Sequence, residues 1–426
     1  MLTIIPGITI LIATIILLIK RYDTRTTLIG AGLILCIISL SPMNAFSAFS
    51  ARMTTSGLIE SICSSMGFAY VMKYTRCDLT LVHLLTRGLS KLGLLLIPAA
   101  VTVTFLVCIA IPSAAGASAA VGATLIPLLI AARIHPAIAG GTVLSGTLGA
   151  YLNPGVAHNA FISNISHTPL MDFVFYHAPI TIICGVICAI CLTLTAIFAK
   201  ELNCQPQVNI EDGNTDILNS DEIRGFNFYL KAIAPFLPVL LLVATGLGWF
   251  GEIKMSVPAA MIIGAIYALL ITRVSPSQLT KNFFDGMGSS YADIMGIIIA
   301  AAVFIEGLSA AGIINGFIHL LTSYPEFARW GGTLGPFLMG LITGTGDATA
   351  FAFNEAVTPH ANSFGYGINN LGAGVMLASA LGRNMSPLAG AAIVCAGLAG
   401  VNPVEIAKRT APGAIVAVIF IAVFFL

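Results

Sequence analysis

Six ionisable residues stand in or beside apolar stretches of the chain: Glu60, Asp293, Glu306, Asp347, Glu355 and Arg383. Such groups at membrane depth usually face a cavity or a partner. Asp347 and Glu355 share the run TGTGDATAFAFNE (343–355), where a carboxylate can activate water with a second acid, bind a proton or a sodium ion, or hold a cation. Arg383, in LGRNMSP (381–387), offers a planar fork that binds a carboxylate through two hydrogen bonds. Its other reading is a buried ion pair with Asp347 or Glu355. Glu306, in AAVFIEGLSAAGI (301–313), is a proton site or an interhelix hydrogen bond. Glu60 and Asp293 fall near predicted helix ends, where long side chains snorkel to water. His158 and Asn159 follow a proline in NPGVAHNA (153–160), and His158 either lines a cavity or makes a structural hydrogen bond.

The elements that position these residues are membrane helices. The chain is 57% hydrophobic and 9% charged, against roughly 25% charged in soluble domains. Apolar runs long enough to span a bilayer, about 20 residues each, recur from residue 2 to residue 426, which predicts an all-α polytopic membrane protein without a sizeable soluble domain. The first run lacks a signal-peptide leader and cleavage site and reads as a retained helix. The nine cysteines are scattered through apolar segments, where cysteine packs as a small hydrophobe. No group of ligands has metal-site spacing, and no cofactor is expected. A net charge of +1 excludes a global electrostatic argument for nucleic acid.

Placement of the cations predicts sidedness. Lys20, Arg21 and Arg25 follow the first helix; Lys73, Arg76, Arg87 and Lys91 follow the third; Arg273, Lys281, Lys408 and Arg409 fall in later loops of the same parity. Arg52, Lys254 and Arg329 mark the opposite loops. Both termini are therefore expected outside the cytoplasm, and the acidic linker at 201–228 inside.

That linker divides the chain into halves with matching motifs. LGAYLNP (148–154) has the spacing of LGRNMSP (381–387), and upstream SAAGASA (113–119) resembles TGTGDAT (343–349). The halves, 1–200 and 229–426, are expected to be inverted repeats. Each contributes a short re-entrant hairpin, at about 112–132 and 343–366, and a discontinuous helix, at about 137–165 and 370–400. Breaks at Asn153-Pro154 and Ser386-Pro387 leave backbone groups unpaired, which hydrocarbon does not tolerate unless protein, water or ligand satisfies them. Helix N-termini at the hairpin tips suit an anionic group. The candidate substrate-binding residues are accordingly Ser113, Gly116, Ser118, Asn153, Asn159, Thr343, Thr345, Gly346, Thr349, Arg383, Asn384 and Ser386. Asp347, Glu306 and Glu355 are the candidate ion-coupling residues, with a proton or sodium as the coupling ion; the sodium would lie near Asn153 and Asp347.

Gly-x-Gly-Asp at 344–347 also occurs in intramembrane aspartyl proteases, but that chemistry needs two carboxylates sharing a proton. The Tyr-Asp of their second helix and their Pro-Ala-Leu element are missing, so a carrier is expected rather than an enzyme. The runs AAAVFIEGLSAAGII (300–314), TGTGDATAFAFNE, ASALGRNMSPLAGAAIVCAGLAGVNPVEIAKRTAP (378–412) and PSAAGASAAVGATLIPLL (112–129) resemble the DcuC-type anaerobic C4-dicarboxylate carriers of the ion transporter superfamily. The resemblance implies exchange of succinate with fumarate or malate across a bacterial inner membrane, or proton- or cation-coupled uptake. It also implies a homodimer with fixed scaffold domains and transport domains that move as elevators. The chain departs from that type at Asp347 and Glu306, where those carriers have Asn and Gln. The extra acids make a basic or neutral amino acid the alternative substrate.

Overall fold

The computed structural model describes residues 4–20, 22–86, 95–202, 225–249, 255–314, 316 and 325–426. Most of the acidic linker (203–224), and the cations Arg21, Arg87, Lys91 and Lys254, lie outside the described residues. Among the described residues every named element is helical. By length and composition, Ala114–Ala131, Leu170–Phe198, Phe226–Gly246, Pro276–Ala310 and Pro403–Phe425 can cross a membrane. In Leu170–Phe198 the residues Ile182, Val186, Ile190 and Leu194 form an exposed stripe, whereas Cys184, Cys188 and Leu192 are buried. This is the pattern of a helix with lipid on one side and protein on the other. Cys184 and Cys188 pack into an apolar core.

Two helix pairs and two interrupted helices position the site. The first pair is Leu96–Ala110 and Ala114–Ala131. Pro112 pushes Ile111 out of the helical region, and Ser113 restarts the chain by accepting a hydrogen bond from the Gly116 N–H at 3.2 Å. The second pair is Pro325–Thr343 and Gly346–Ala356. Gly344 ends its first arm in the left-handed region (φ 72°), where a Cβ would also lie 2.7 Å from the Leu388 carbonyl carbon. The turns therefore fall at 111–113 and 344–345, and the segments 112–132 and 343–366 are not hairpins by themselves. Small polar residues mark the tip of each pair, and the arm before each tip is apolar enough to pass for a separate span.

The first interrupted helix, Pro136–Gly146, tightens into a 3₁₀ turn at Thr147–Leu152, unwinds, and resumes as Ala157–Ser166. The second runs from Ile368–Asn384 through an unwound stretch to Gly390–Ala399. Each is buried on all sides before its break, at 137–151 and at 371–382. The far half-helices pack across the chain's midpoint. Ala392 and Cys395 join Leu125, Leu129 and Ile138 in one core, and Phe161 joins Phe351, Met376 and Leu381 in another.

Close contact fixes where pairs and interrupted helices meet. A Cβ on Gly149 would lie 2.0 Å from the Phe105 carbonyl oxygen, and one on Gly382 would lie 2.0 Å from the Phe337 carbonyl oxygen. Phe105 and Phe337 stand at the same remove from Ser113 and Thr345, the residues that precede the second arms. Gly149→Ala and Gly382→Ala should each lower the thermal unfolding temperature in detergent, since overpacking costs typically about 1–3 kcal/mol. Gly397→Ala, where an added Cβ meets nothing within 4 Å, is the control that should leave it unchanged.

Candidate functional site

The two tips and the two breaks enclose a cavity of about 380 Å³, within the roughly 300–1,000 Å³ of small-molecule sites. Pro112, Ser113 and Ala115 line it from the first tip, Thr345, Gly346 and Asp347 from the second. Ala150, Tyr151, Gly155 and His158 come from the first interrupted helix, and Arg383 and Ala391 from the second. Ile62, Ser65 and Ile294 close one wall.

The charged centre is Arg383, Asp347 and His158. Asp347 sits in the first turn of Gly346–Ala356, where the helix dipole favours an anion. Its carboxylate is 58% exposed, towards the cavity, while Arg383 is 11% and His158 4% exposed. His158 Nε2 lies 2.9 Å from Asp347 Oδ1, and Arg383 Nη1 lies 4.0 Å from the same oxygen. Arg383 Nη2 donates to Asn384 Oδ1 at 3.4 Å, and its buried Nε has no hydrogen-bond partner. The His158 ring stacks on Phe351 with centroids 4.2 Å apart.

Polar side chains hold the breaks open. Asn153 donates from Nδ2 to the Ile109 carbonyl at 2.7 Å and accepts from the Gly155 N–H at 2.7 Å. Asn159 donates to the carbonyls of Tyr151 and Asn153 at 2.8 and 2.9 Å. Its Oδ1 faces His177 Nε2 at 3.1 Å, and His177 Nδ1 faces the Thr181 hydroxyl at 3.0 Å. In the second break Ser386 accepts from the Leu388 N–H at 3.2 Å, and Thr410 donates to the Asn384 carbonyl at 2.9 Å. Thr147 donates to Asn384 Oδ1 at 3.2 Å, which ties one interrupted helix to the other.

Of the residues singled out from sequence, Ser113, His158, Thr345, Gly346, Asp347 and Arg383 line the cavity. Gly116, Asn153, Asn159, Asn384 and Ser386 are spent on the backbone and side chains around the tips and breaks. Ser118 is fully buried in the second arm of the first pair, away from the wall. Thr343 donates to the Met339 carbonyl at 2.7 Å, and Thr349 donates to the Thr345 carbonyl at 3.1 Å. Glu306 accepts from Asn44 Nδ2 at 3.0 Å on another face, and Glu355 pairs with Arg52, so neither acid reaches the cavity. Both ends of the Asn153 amide are engaged, and Asp347 Oδ1 lies against His158. Among the described residues no three histidines, cysteines or acids gather as metal ligands. Tyr151, Ser65, Phe351 and His177 were not singled out. Tyr151 lies inside the repeated motif, a signal that could have found it, whereas nothing in the sequence around Ser65 distinguishes it.

Fold and site together define a polytopic helical membrane protein whose cavity holds a charged cluster. The chain matches the DcuC family, described as C4-dicarboxylate anaerobic carriers, over residues 6–426 and belongs to it. It is 25% identical to the anaerobic C4-dicarboxylate transporter DcuC of Escherichia coli (strain K12) over 450 residues, 98% of this chain and 95% of that protein. It is also 48% identical over 285 residues to a Haemophilus influenzae protein whose name is that of a transporter without a stated substrate, covering 65% of this chain and all of that protein. The family is one of transporters, not of enzymes. Asp347 accordingly faces an imidazole and a guanidinium instead of a second aspartate.

The Arg52–Glu355 pair is largely buried, with Arg52 also 5.7 Å from the centre of the Phe161 ring. Removing one partner of a buried pair leaves an uncompensated charge and costs roughly 3–5 kcal/mol, whereas an apolar pair of similar volume is often neutral. Glu355→Gln should therefore lower the unfolding temperature markedly, and Arg52→Met with Glu355→Leu should recover most of the loss. A stable Glu355→Gln protein would show that the pair contributes little.

Proposed function

We propose that this protein carries C4-dicarboxylates such as succinate, fumarate and malate across the bacterial inner membrane by alternating access, through exchange or ion-coupled symport. The observation that carries the reading is Arg383. Its guanidinium borders the cavity and its contact with Asp347 through Nη1 is long, so that edge of the fork can turn to one end of an elongated anion. The other end has the N–H groups that open Gly346–Ala356, which no side chain caps, and the Ser113 hydroxyl across the cavity.

The two helix pairs and the two interrupted helices share their apolar cores. In this reading they move as one transport domain against a scaffold, within a homodimer, and Leu170–Phe198 and Pro403–Phe420, which join the same cores, travel with them. The cation placement supports termini on the periplasmic side. Asp347 also gives the amino-acid reading a specific footing, because its carboxylate faces the same space and would receive an ammonium group.

Calorimetric binding of succinate, aspartate and arginine to the purified protein separates the two. Arg383→Lys keeps the charge and loses the fork. It should weaken succinate binding by about 1.5–3 kcal/mol, roughly ten- to over a hundredfold, and Arg383→Ala should weaken it further. Undiminished succinate affinity in both variants, with unfolding temperatures unchanged, would remove Arg383 from the site; tight arginine binding would favour the amino-acid reading.

A further inference from the structure

We propose that His158 and Asp347 together form the proton site of this carrier, taking up one proton from water with each dicarboxylate that enters the cavity and returning it when the dicarboxylate leaves. The inference rests on the dicarboxylate reading above and names the groups that couple it to an ion.

The argument begins with where charge sits. With a neutral imidazole, Arg383 and Asp347 cancel, and a dianion would enter a site of zero net charge beside a carboxylate exposed to the same space. In a cavity walled largely by apolar side chains that repulsion is less screened than in bulk water. Among the residues that line the cavity, the hydrogen-bonded pair of His158 and Asp347 is the arrangement able to relieve it by accepting a proton. Protonation turns the pair from an anion into a neutral ion pair or its neutral tautomer, and the site then carries the single positive charge of Arg383. His158 Nε2 is engaged with Asp347, while its buried Nδ1 has no hydrogen-bond partner. The ring therefore has one nitrogen that no fixed protein group occupies.

The surroundings of His158 leave few competitors. Tyr151 faces the ring at 5.6 Å between centroids, and Phe351 stacks on it. From the neighbouring helix Leu170–Phe198, His177 turns to Asn159 and Thr181. On Gly346–Ala356 the second acid, Glu355, is held by Arg52, and Ser56–Thr75 presents Ile62, Ser65 and Met66 to the cavity, with Glu60 exposed elsewhere. Proton and dicarboxylate then favour each other's binding, and that coupling is reciprocal.

The test is calorimetric binding of succinate to the protein in lipid nanodiscs at several pH values, in two buffers of different ionisation enthalpy, with thermal unfolding of each variant. The wild type should take up about one proton per succinate, and its affinity should fall as pH rises, with a limiting slope of about tenfold per pH unit. His158→Gln keeps a donor for Asp347 without a titrating ring, and Asp347→Asn removes the carboxylate. Each should bind with little proton uptake and a flat pH profile, and using both keeps the test readable if one fails to fold. Succinate binding by the wild type without proton uptake, or undiminished uptake in the folded variants, would overturn this inference and leave the transport reading standing. No succinate binding by the wild type at any pH would overturn both.

Discussion

A helix that stops in an apolar interior must find partners for the backbone groups it leaves behind, and this chain interrupts two buried helices, at 147–156 and 385–389. Much of what surrounds the cavity answers that demand. Asn153 and Asn159 take up the carbonyls and N–H groups of the first break, and Ser386 and Thr410 do so at the second. The same demand explains why the stretches before the breaks are so rich in small residues. Backbone that must lie against backbone has no room for side chains, as the contacts of Gly149 and Gly382 with phenylalanine carbonyls show. The polar interior is thus a consequence of interrupted helices, and the cavity is the space between them.

Charge follows the same economy. Gly346–Ala356 carries an acid near each end, and the helix dipole treats them differently. Asp347 sits where the dipole is favourable and keeps only a long contact with Arg383 and a hydrogen bond with His158, which leaves it facing the cavity. Glu355 sits near the opposite end, where the dipole is unfavourable, and is held by an arginine from Pro42–Met53. One acid is thereby available to a bound molecule, and the other fastens the helix to its neighbour.

The all-helical character, the interruptions at Asn153 and Ser386 and the convergence on Arg383 and Asp347 were legible in the sequence, because proline, glycine and charge stand out in an apolar background. The turns of the helix pairs were misplaced because apolar length alone does not distinguish an arm such as Leu96–Ala110 from a separate span. Glu306 and Glu355 looked equivalent to Asp347 for a related reason. Composition shows that an acid is buried, but whether it meets Asn44, Arg52 or a cavity depends on contacts between residues hundreds of positions apart. Ser65 and His177 carry no local signal, since a serine or histidine on an apolar helix acquires its role from what packs against it.

The matched positions of the two halves give the cavity its polarity. Arg383 is the third residue of LGRNMSP, and Ala150 the third of LGAYLNP. Counted from the helix starts, which shifts the match of 113–119 with 343–349 by two residues, Asp347 and Ala115 are each the second residue of the helix after a tip, and His158 and Ala391 each the second residue of the helix after a break. All six line the cavity, and in every pair an ionisable side chain stands against alanine. A cavity built from two similar halves would treat the two ends of a bound molecule alike; these three pairs prevent that. Arginine and aspartate come from the second half and histidine from the first, so the charged cluster exists only while the two halves are packed together. A rearrangement that parted His158 from Asp347 would therefore change the charge of the site without moving Arg383 relative to its own helix.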